Sequence, residues 1–244
     1  MRSNLTSYEI NKTDIVILCG GLGSRLQNTI KDKPKPMAEI GATPFLDILI
    51  NYIGSFGFKR FVLCTGYKAE IIQQFYERKQ TDKEFIFSSE SEPLGTGGAL
   101  KNAEKYIFSD DFFVMNGDSL CKLDFNRLYS FHTEKSALIS IALSKTYDIK
   151  DCGSVILDKY QRIMAFNEKI TDSHKTEFGN AGIYCMKKSA FSLMPQHGNF
   201  SLELDFFPNN LDKAVYGYIT NQPFIDIGTP GRYEKAKLLL INKK

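Results

Sequence analysis

The stretch LCGGLGSRL at residues 18–26 sets three glycines, a serine and an arginine directly after an apolar run, and KPKPM at 33–37 wedges a lysine between prolines. A glycine loop between a strand and a helix presents backbone N–H groups at a helix N-terminus, a ready anion site. The same glycines would equally serve a tight strand-to-helix turn with no ligand. Residue identity removes two phosphate-binding loops. A Walker loop closes on Gly-Lys-Ser/Thr, whereas Gly23 is followed by Ser24 and Arg25, and a dinucleotide fingerprint counted from Gly21 needs a third glycine where Leu26 stands. Arg25 and Lys35 favour phosphate, because a planar donor fork and a compact charge suit a polyphosphate whose developing charge must be offset.

Asp118 closes NGD at 116–118, just after the apolar run DFFVM. A carboxylate past the C-terminal end of a parallel strand lies in the crevice where such sheets bind ligands. Magnesium prefers one or two carboxylates with phosphate oxygens and water, so Asp118 suits a metal shared with a nucleotide. The tripeptide is also an ordinary turn composition. In SESEPLGTGG, residues 89–98, Gly95, Gly97 and Gly98 would let backbone approach a planar ligand, Pro93 stiffens the loop, and Glu90 and Glu92 add acceptors. Guanine's Watson–Crick edge carries two adjacent donors that one carboxylate can accept together. An acidic group in a base pocket therefore favours guanine over uracil or thymine, although a loop capping a helix would have the same composition. Glu168 and Lys169 follow a predicted strand, where such a pair is usually a solvated surface pair. Asp226 lies between Ile225 and Ile227. Carboxylates seldom enter apolar surroundings unless paired or bound to a cation, which makes Asp226 a candidate second metal ligand.

The elements that must position these groups can be read from the apolar pattern. Residues 14–19 read as a buried parallel strand. Thr43-Pro44 is expected to cap a helix whose apolar positions run from Phe45 to Phe56, with Gly57 ending it. Strands at 59–65, 84–88 and 111–115 alternate with helices at 68–79 and 97–107, which predicts a mostly parallel sheet with helices on both faces. After about residue 135 strands dominate: 137–143, 153–157, 162–166, 180–186, 214–219 and 223–226, with a hairpin loop at 158–161. A last helix starts near Thr229-Pro230, with Ala236, Leu239 and Leu240 facing the sheet. The expected fold is a Rossmann-like three-layer α/β/α arrangement on a mixed, mostly parallel sheet. A polar extension at 1–13 precedes a single domain at 14–244, with a nucleotide half to about 135 and a sugar half beyond.

Composition bounds the rest. The 244 residues carry 31 basic and 28 acidic side chains and are 43% hydrophobic. That is enough for a sizeable core and too balanced for a nucleic-acid surface. No apolar run is long enough to cross a membrane, and the first fourteen residues lack the apolar stretch of a signal peptide. Cys19, Cys64, Cys121, Cys152 and Cys185 lack CxxC spacing, so buried thiols in a reduced, cytoplasmic protein are expected rather than a metal or disulfide framework. His132, His174 and His197 are isolated and expected at the surface or in loops.

Taken in order, these stretches resemble the sugar-1-phosphate nucleotidyltransferase family from about Asp14 to the last helix. The family's G-G-x-G-[ST]-R-L is matched by Gly20, Gly21, Gly23, Ser24, Arg25 and Leu26, and its P-K-P lysine by Lys35. Within the family the EPLGTGG stretch and short chain look most like guanylyltransferases acting on D-glycero-D-manno-heptose 1-phosphate, with the mannose-1-phosphate enzymes similar. The resemblance implies transfer of a nucleoside monophosphate, GMP from GTP, to a sugar 1-phosphate with release of pyrophosphate, for surface polysaccharide synthesis. It implies Arg25, Lys35 and Asp118 as catalytic residues and Mg²⁺ on Asp118 and Asp226. Leu18, Gly20, Gly21, Gly23, Ser24, Glu90, Pro93, Gly95 and Thr96 would contact the nucleotide, and Gly153, Glu168, Lys169 and Asn180 the sugar phosphate. The expected partners are these small molecules alone, with no nucleic acid or membrane, for a monomer or homodimer.

Overall fold

The computed structural model describes residues 12–30, 32–145, 154–167 and 178–241. Its framework is one nine-stranded sheet in the order β10-β9-β11-β6-β1-β4-β5, with β8 also paired to β11 and carrying β12. The strands are β1 (Asp14–Leu18), β4 (Arg60–Thr65), β5 (Glu84–Ser89), β6 (Asp111–Asn116), β8 (Ile139–Ser144), β9 (Ser154–Leu157), β10 (Ile163–Asn167), β11 (Phe178–Lys187) and β12 (Val215–Thr220). Seven of the nine run the same way; β10 and β11 oppose them. Two small pairs lie outside: β2 (Glu39–Ile40) with β3 (Thr43–Pro44), and β7 (Ser119–Cys121) with β13 (Phe224–Asp226).

Strand residues alternate between faces, and the core divides accordingly. Ile15, Ile17, Phe61, Leu63, Phe113 and Met115 pack with helices α1 (Phe45–Gly54), α2 (Ala69–Glu77), α4 (Phe125–Glu134) and α5 (Pro230–Ile241). Val16, Val62, Cys64, Phe112, Val114 and Tyr184 pack instead with α3 (Gly95–Ala103) and the short turns of 188–207. The central strands are buried on both faces, which is why they read as unbroken apolar runs.

Strand β11 changes partners along its length. Phe178 and Gly179 pair with β9 and residues 183–187 pair with β6, while on β8 the register of β11 shifts between Asn180 and Tyr184.

Several expectations are corrected. No regular helix follows the glycine loop. Residues 24–29 form turns in which the Leu26 N–H bonds back to Gly23 and both the Thr29 and Ile30 N–H groups to the Leu26 carbonyl. Thr43 does not cap α1. Pro44 holds the N-cap position and has no side-chain acceptor to offer, while Thr43 is paired with Ile40 in the β2–β3 ladder. Helix α4 was not anticipated, and it buries His132 completely against Ser140 rather than leaving it at the surface. Ala236 is buried as expected, whereas Leu239 is exposed. Cys19, Cys64, Cys121 and Cys185 are buried, and burial pushes the Cys64 and Cys121 thiols up to about 12. Cys152 and His174 lie outside the described residues.

Candidate active site

Strands β1, β4, β5 and β6 are parallel neighbours, so their C-terminal ends open on one side of the sheet. The glycine loop leaves β1, Gly66 and Tyr67 leave β4, Glu90 leaves β5, and Asn116 and Asp118 leave β6. Together they wall a cleft of about 600 Å³, within the range of sites that take a nucleoside-sized ligand. A second cavity of about 230 Å³ adjoins it, lined by Gly23, Ser24, Arg25, Lys35 and Gly228. Leu18, Gly21 and Asp118 line both, so the two form one continuous groove.

The small cavity has the chemistry of an anion seat. Lys35 starts a single 3₁₀ turn between buried Pro34 and Pro36, which pins its backbone. Its ammonium meets the Asp118 carboxylate. Gly23 adopts φ +60°, and a Cβ there would lie 2.9 Å from Lys35 Cβ, so the loop can pass over the lysine only with glycine in place. Arg25 and Ser24 are exposed at the rim.

Asp118 and Asp226 are brought together by β7 and β13. Asp226 faces Ser119 in that ladder, and the Ile227 N–H donates to the Asp118 carbonyl at 3.1 Å. Asp226 is not an orphan in apolar surroundings: it accepts from the Gly228 N–H at 2.8 Å and from Arg232 at 3.2 Å. Among the described residues no cluster of three or more His, Cys, Asp or Glu could hold a metal. This pair of carboxylates is a partial donor set, fitted to a cation that brings phosphate oxygens and water with it.

At the far end of the cleft Glu90 is wedged between Gly20 and Gly66, where a Cβ would fall 2.7 and 2.6 Å from its Oε1. The Leu94 N–H donates to its Oε2 at 3.2 Å. Burial raises the Glu90 carboxyl, and the Leu94 N–H opposes that shift. Glu92 and Pro93 are exposed on the cleft wall. The glycines that follow serve a different purpose from the one expected. Gly97 and Gly98 are buried under the 198–200 loop rather than facing a ligand; a Cβ on Gly97 would lie 2.2 Å from the Phe200 ring. Gly95 does line the cleft, at φ +71°. Thr96 lines it too, but its hydroxyl turns to Glu203 at 2.6 Å.

Asn180 sits on β11, and Gly182 two residues on packs against Asn116, which lines the cleft. Gly153, Glu168 and Lys169 lie outside the described residues. Sequence reasoning missed Tyr67, Asn116, Asn199 and Gly228 as lining residues. Tyr67 follows a parallel strand and Asn116 ends one, so the crevice rule that found Asp118 could have found both. Asn199 carries no local signal; its Nδ2 donates to the Pro93 carbonyl from 106 residues away.

The nucleotidyl transferase family model matches residues 14–243. A D-glycero-α-D-manno-heptose 1-phosphate guanylyltransferase from Aneurinibacillus thermoaerophilus is 36% identical over 225 residues, covering 92% of this chain and 96% of that protein. A mannose-1-phosphate guanylyltransferase from Mycobacterium tuberculosis is 32% identical, covering 95% of this chain and 65% of that protein. The crystal structure of HddC from Yersinia pseudotuberculosis complexed with GMP-PN aligns with a TM-score of 0.81 at 36% identity, covering 93% of this chain and 99% of that one.

Proposed function

The chain belongs to the nucleotidyl transferase family, and from that premise we propose that it transfers GMP from GTP to D-glycero-α-D-manno-heptose 1-phosphate, releasing pyrophosphate. The supporting observation is the groove itself. A seat for phosphate made of the glycine loop, Arg25 and Lys35 opens past Asp118 into a nucleoside-sized cleft with Glu90 at its end. Heptose is favoured by the Aneurinibacillus relative, which this chain matches nearly end to end. Guanine is favoured by that relative, by HddC crystallised with GMP-PN, and by the placement of Glu90.

A sugar phosphate is already a nucleophile at neutral pH, so neither a general base nor a covalent intermediate is needed. The work left to the protein is alignment of a phosphate oxygen with the α-phosphorus and stabilisation of charge. The loop amides and Arg25 hold the departing pyrophosphate, and Lys35 sits at the reacting phosphates. Asp118 and Asp226 would hold Mg²⁺, which when bound supplies further positive charge at the phosphates. Lys35 and Arg232 orient these two carboxylates. Asn180, with Gly153, Glu168 and Lys169, receives the sugar phosphate. The enzyme acts on soluble small molecules in the cytoplasm, as a monomer or homodimer, and its product serves surface polysaccharide synthesis.

Pyrophosphate release, measured for GTP, ATP, CTP and UTP against heptose, mannose, glucose and N-acetylglucosamine 1-phosphates, tests this directly. The GTP and heptose pair should give the highest kcat/KM. A higher value with mannose 1-phosphate would overturn the sugar and keep the nucleotide; no turnover with any pair would overturn the activity.

A further inference from the structure

A single carboxylate outside the groove links Thr96, which lines the nucleoside-sized cleft, to Tyr184 of β11. Glu203 lies in the short turn Leu202–Phe206 and is half-buried. Its Oε2 accepts from the Thr96 hydroxyl at 2.6 Å and the Ser201 hydroxyl at 2.9 Å. Thr96 lies in the first turn of α3 on the cleft wall and also accepts from the Leu202 N–H at 2.8 Å, so the two segments are tied twice. Glu203 Oε1 accepts from the Tyr184 hydroxyl at 2.9 Å, and that hydroxyl accepts in turn from Asn180 Nδ2 at 2.9 Å. The Gly182 N–H occupies Asn180 Oδ1 at 2.9 Å.

Proton bookkeeping makes this chain directional. Tyr184 is wholly buried, and burial together with Glu203 raises its hydroxyl well above the usual value, so it stays protonated and has one proton to give. That proton goes to Glu203, which leaves the hydroxyl oxygen as an acceptor for Asn180. With Oδ1 taken by Gly182 and one N–H taken by Tyr184, the Asn180 amide cannot flip. Its second N–H is left to point away from the relay. The irregularity in β11 spans these same residues.

We propose that Glu203 and Tyr184 are positioning residues that fix the Asn180 amide for the sugar substrate and tie it to Thr96 at the start of α3, on the wall of the nucleotide cleft. This deepens the reading of Asn180 as a sugar contact and rests on it. Steady-state kinetics with GTP and heptose 1-phosphate would be compared for Asn180→Ala, Tyr184→Phe, their combination and Glu203→Gln. Asn180→Ala should raise the sugar-phosphate KM about tenfold, the effect of one hydrogen bond. Tyr184→Phe should raise the same KM about three- to tenfold with the GTP KM unchanged, and the combination should be no worse than Asn180→Ala alone. Glu203→Gln cannot accept on both arms and should raise both KM values.

A raised KM in Asn180→Ala with none in Tyr184→Phe overturns the relay and leaves the sugar contact standing. Additive losses in the combination overturn it as well. An unchanged KM in Asn180→Ala removes the sugar contact and the relay with it. Should Tyr184→Phe fold poorly, Glu203→Gln carries the test, and a lowered Tm with both KM values unchanged overturns the proposal.

Discussion

Replacing Gly23 by alanine separates the shape of the glycine loop from its charge. The φ of +60° places residue 23 in the left-handed region, where a side chain costs about 1–2 kcal/mol. For a domain of this size that lowers Tm by about 2–8 °C. The second effect is positional. The new Cβ would meet Lys35 Cβ at 2.9 Å, while carbon pairs rest at about 3.5–4.0 Å, so one partner must withdraw by about 0.6–1.1 Å. Pro34 and Pro36 hold the Lys35 backbone, and the contact is with its Cβ rather than its mobile end. The displacement therefore reaches the ammonium. A shift of about 1 Å in a group aligned with the reacting atoms can cost about a hundredfold, so kcat in pyrophosphate release should fall about ten- to hundredfold. Gly231, in α5, is the matched comparison. A Cβ there meets nothing within 4 Å, and Gly231→Ala should keep kcat while raising stability by up to about 1 kcal/mol. If Gly23→Ala lowers Tm as expected and keeps kcat within about twofold, Lys35 does not act at the reacting phosphates.

Asp118→Asn should fold normally and lower pyrophosphate release at least about a hundredfold; near-normal turnover removes Asp118 from the chemistry. Glu90→Gln should raise the KM for GTP more than for the other triphosphates, and an equal loss across all four means Glu90 does not read the base. Burial of Asp111 acts to raise its carboxyl, but His132 and Lys187 outweigh it and hold that carboxyl below the usual range. The folded state thus binds this proton more weakly than the unfolded chain. The stabilisation is complete above the unfolded value of about 3.9 and is lost as pH falls through the folded one. Lys187→Met should therefore flatten the loss of Tm on acidification from about pH 7 to about pH 3; an unchanged acid limb refutes it.

The strands were legible because a strand buried on both faces must be apolar throughout, and β1, β4 and β6 are. Helix α4 was not, because its inward positions are Phe125, Leu128 and His132, and a histidine does not register in an apolar stripe. The helix expected after the glycine loop failed for a related reason. Leu26 is its one fully buried side chain, and a short helix without an apolar face gains too little from packing to form. In the candidate site, each local motif was legible where chemistry demanded particular residue types in a row. The glycines of GTGG were legible as a close approach, but the approaching partner was the 198–200 loop. Asn199 and Glu203 meet the 93–96 segment across more than a hundred residues, and nothing near them in sequence announces it.

The placement of β11 has a bearing on how the chain is made. It fills the middle of the sheet, between β6 on one side and β8 on the other, yet it is complete only at Lys187. During synthesis β1, β4, β5 and β6 can already form their parallel ladder, leaving the apolar strand β6 as an open edge. Open apolar edges are templates for pairing with other chains. Asp111 and Lys187, joined across the β6–β11 seam at 3.1 Å, mark where that edge is sealed. A released chain that ends before residue 178 should thus aggregate more readily than one that extends through residue 187.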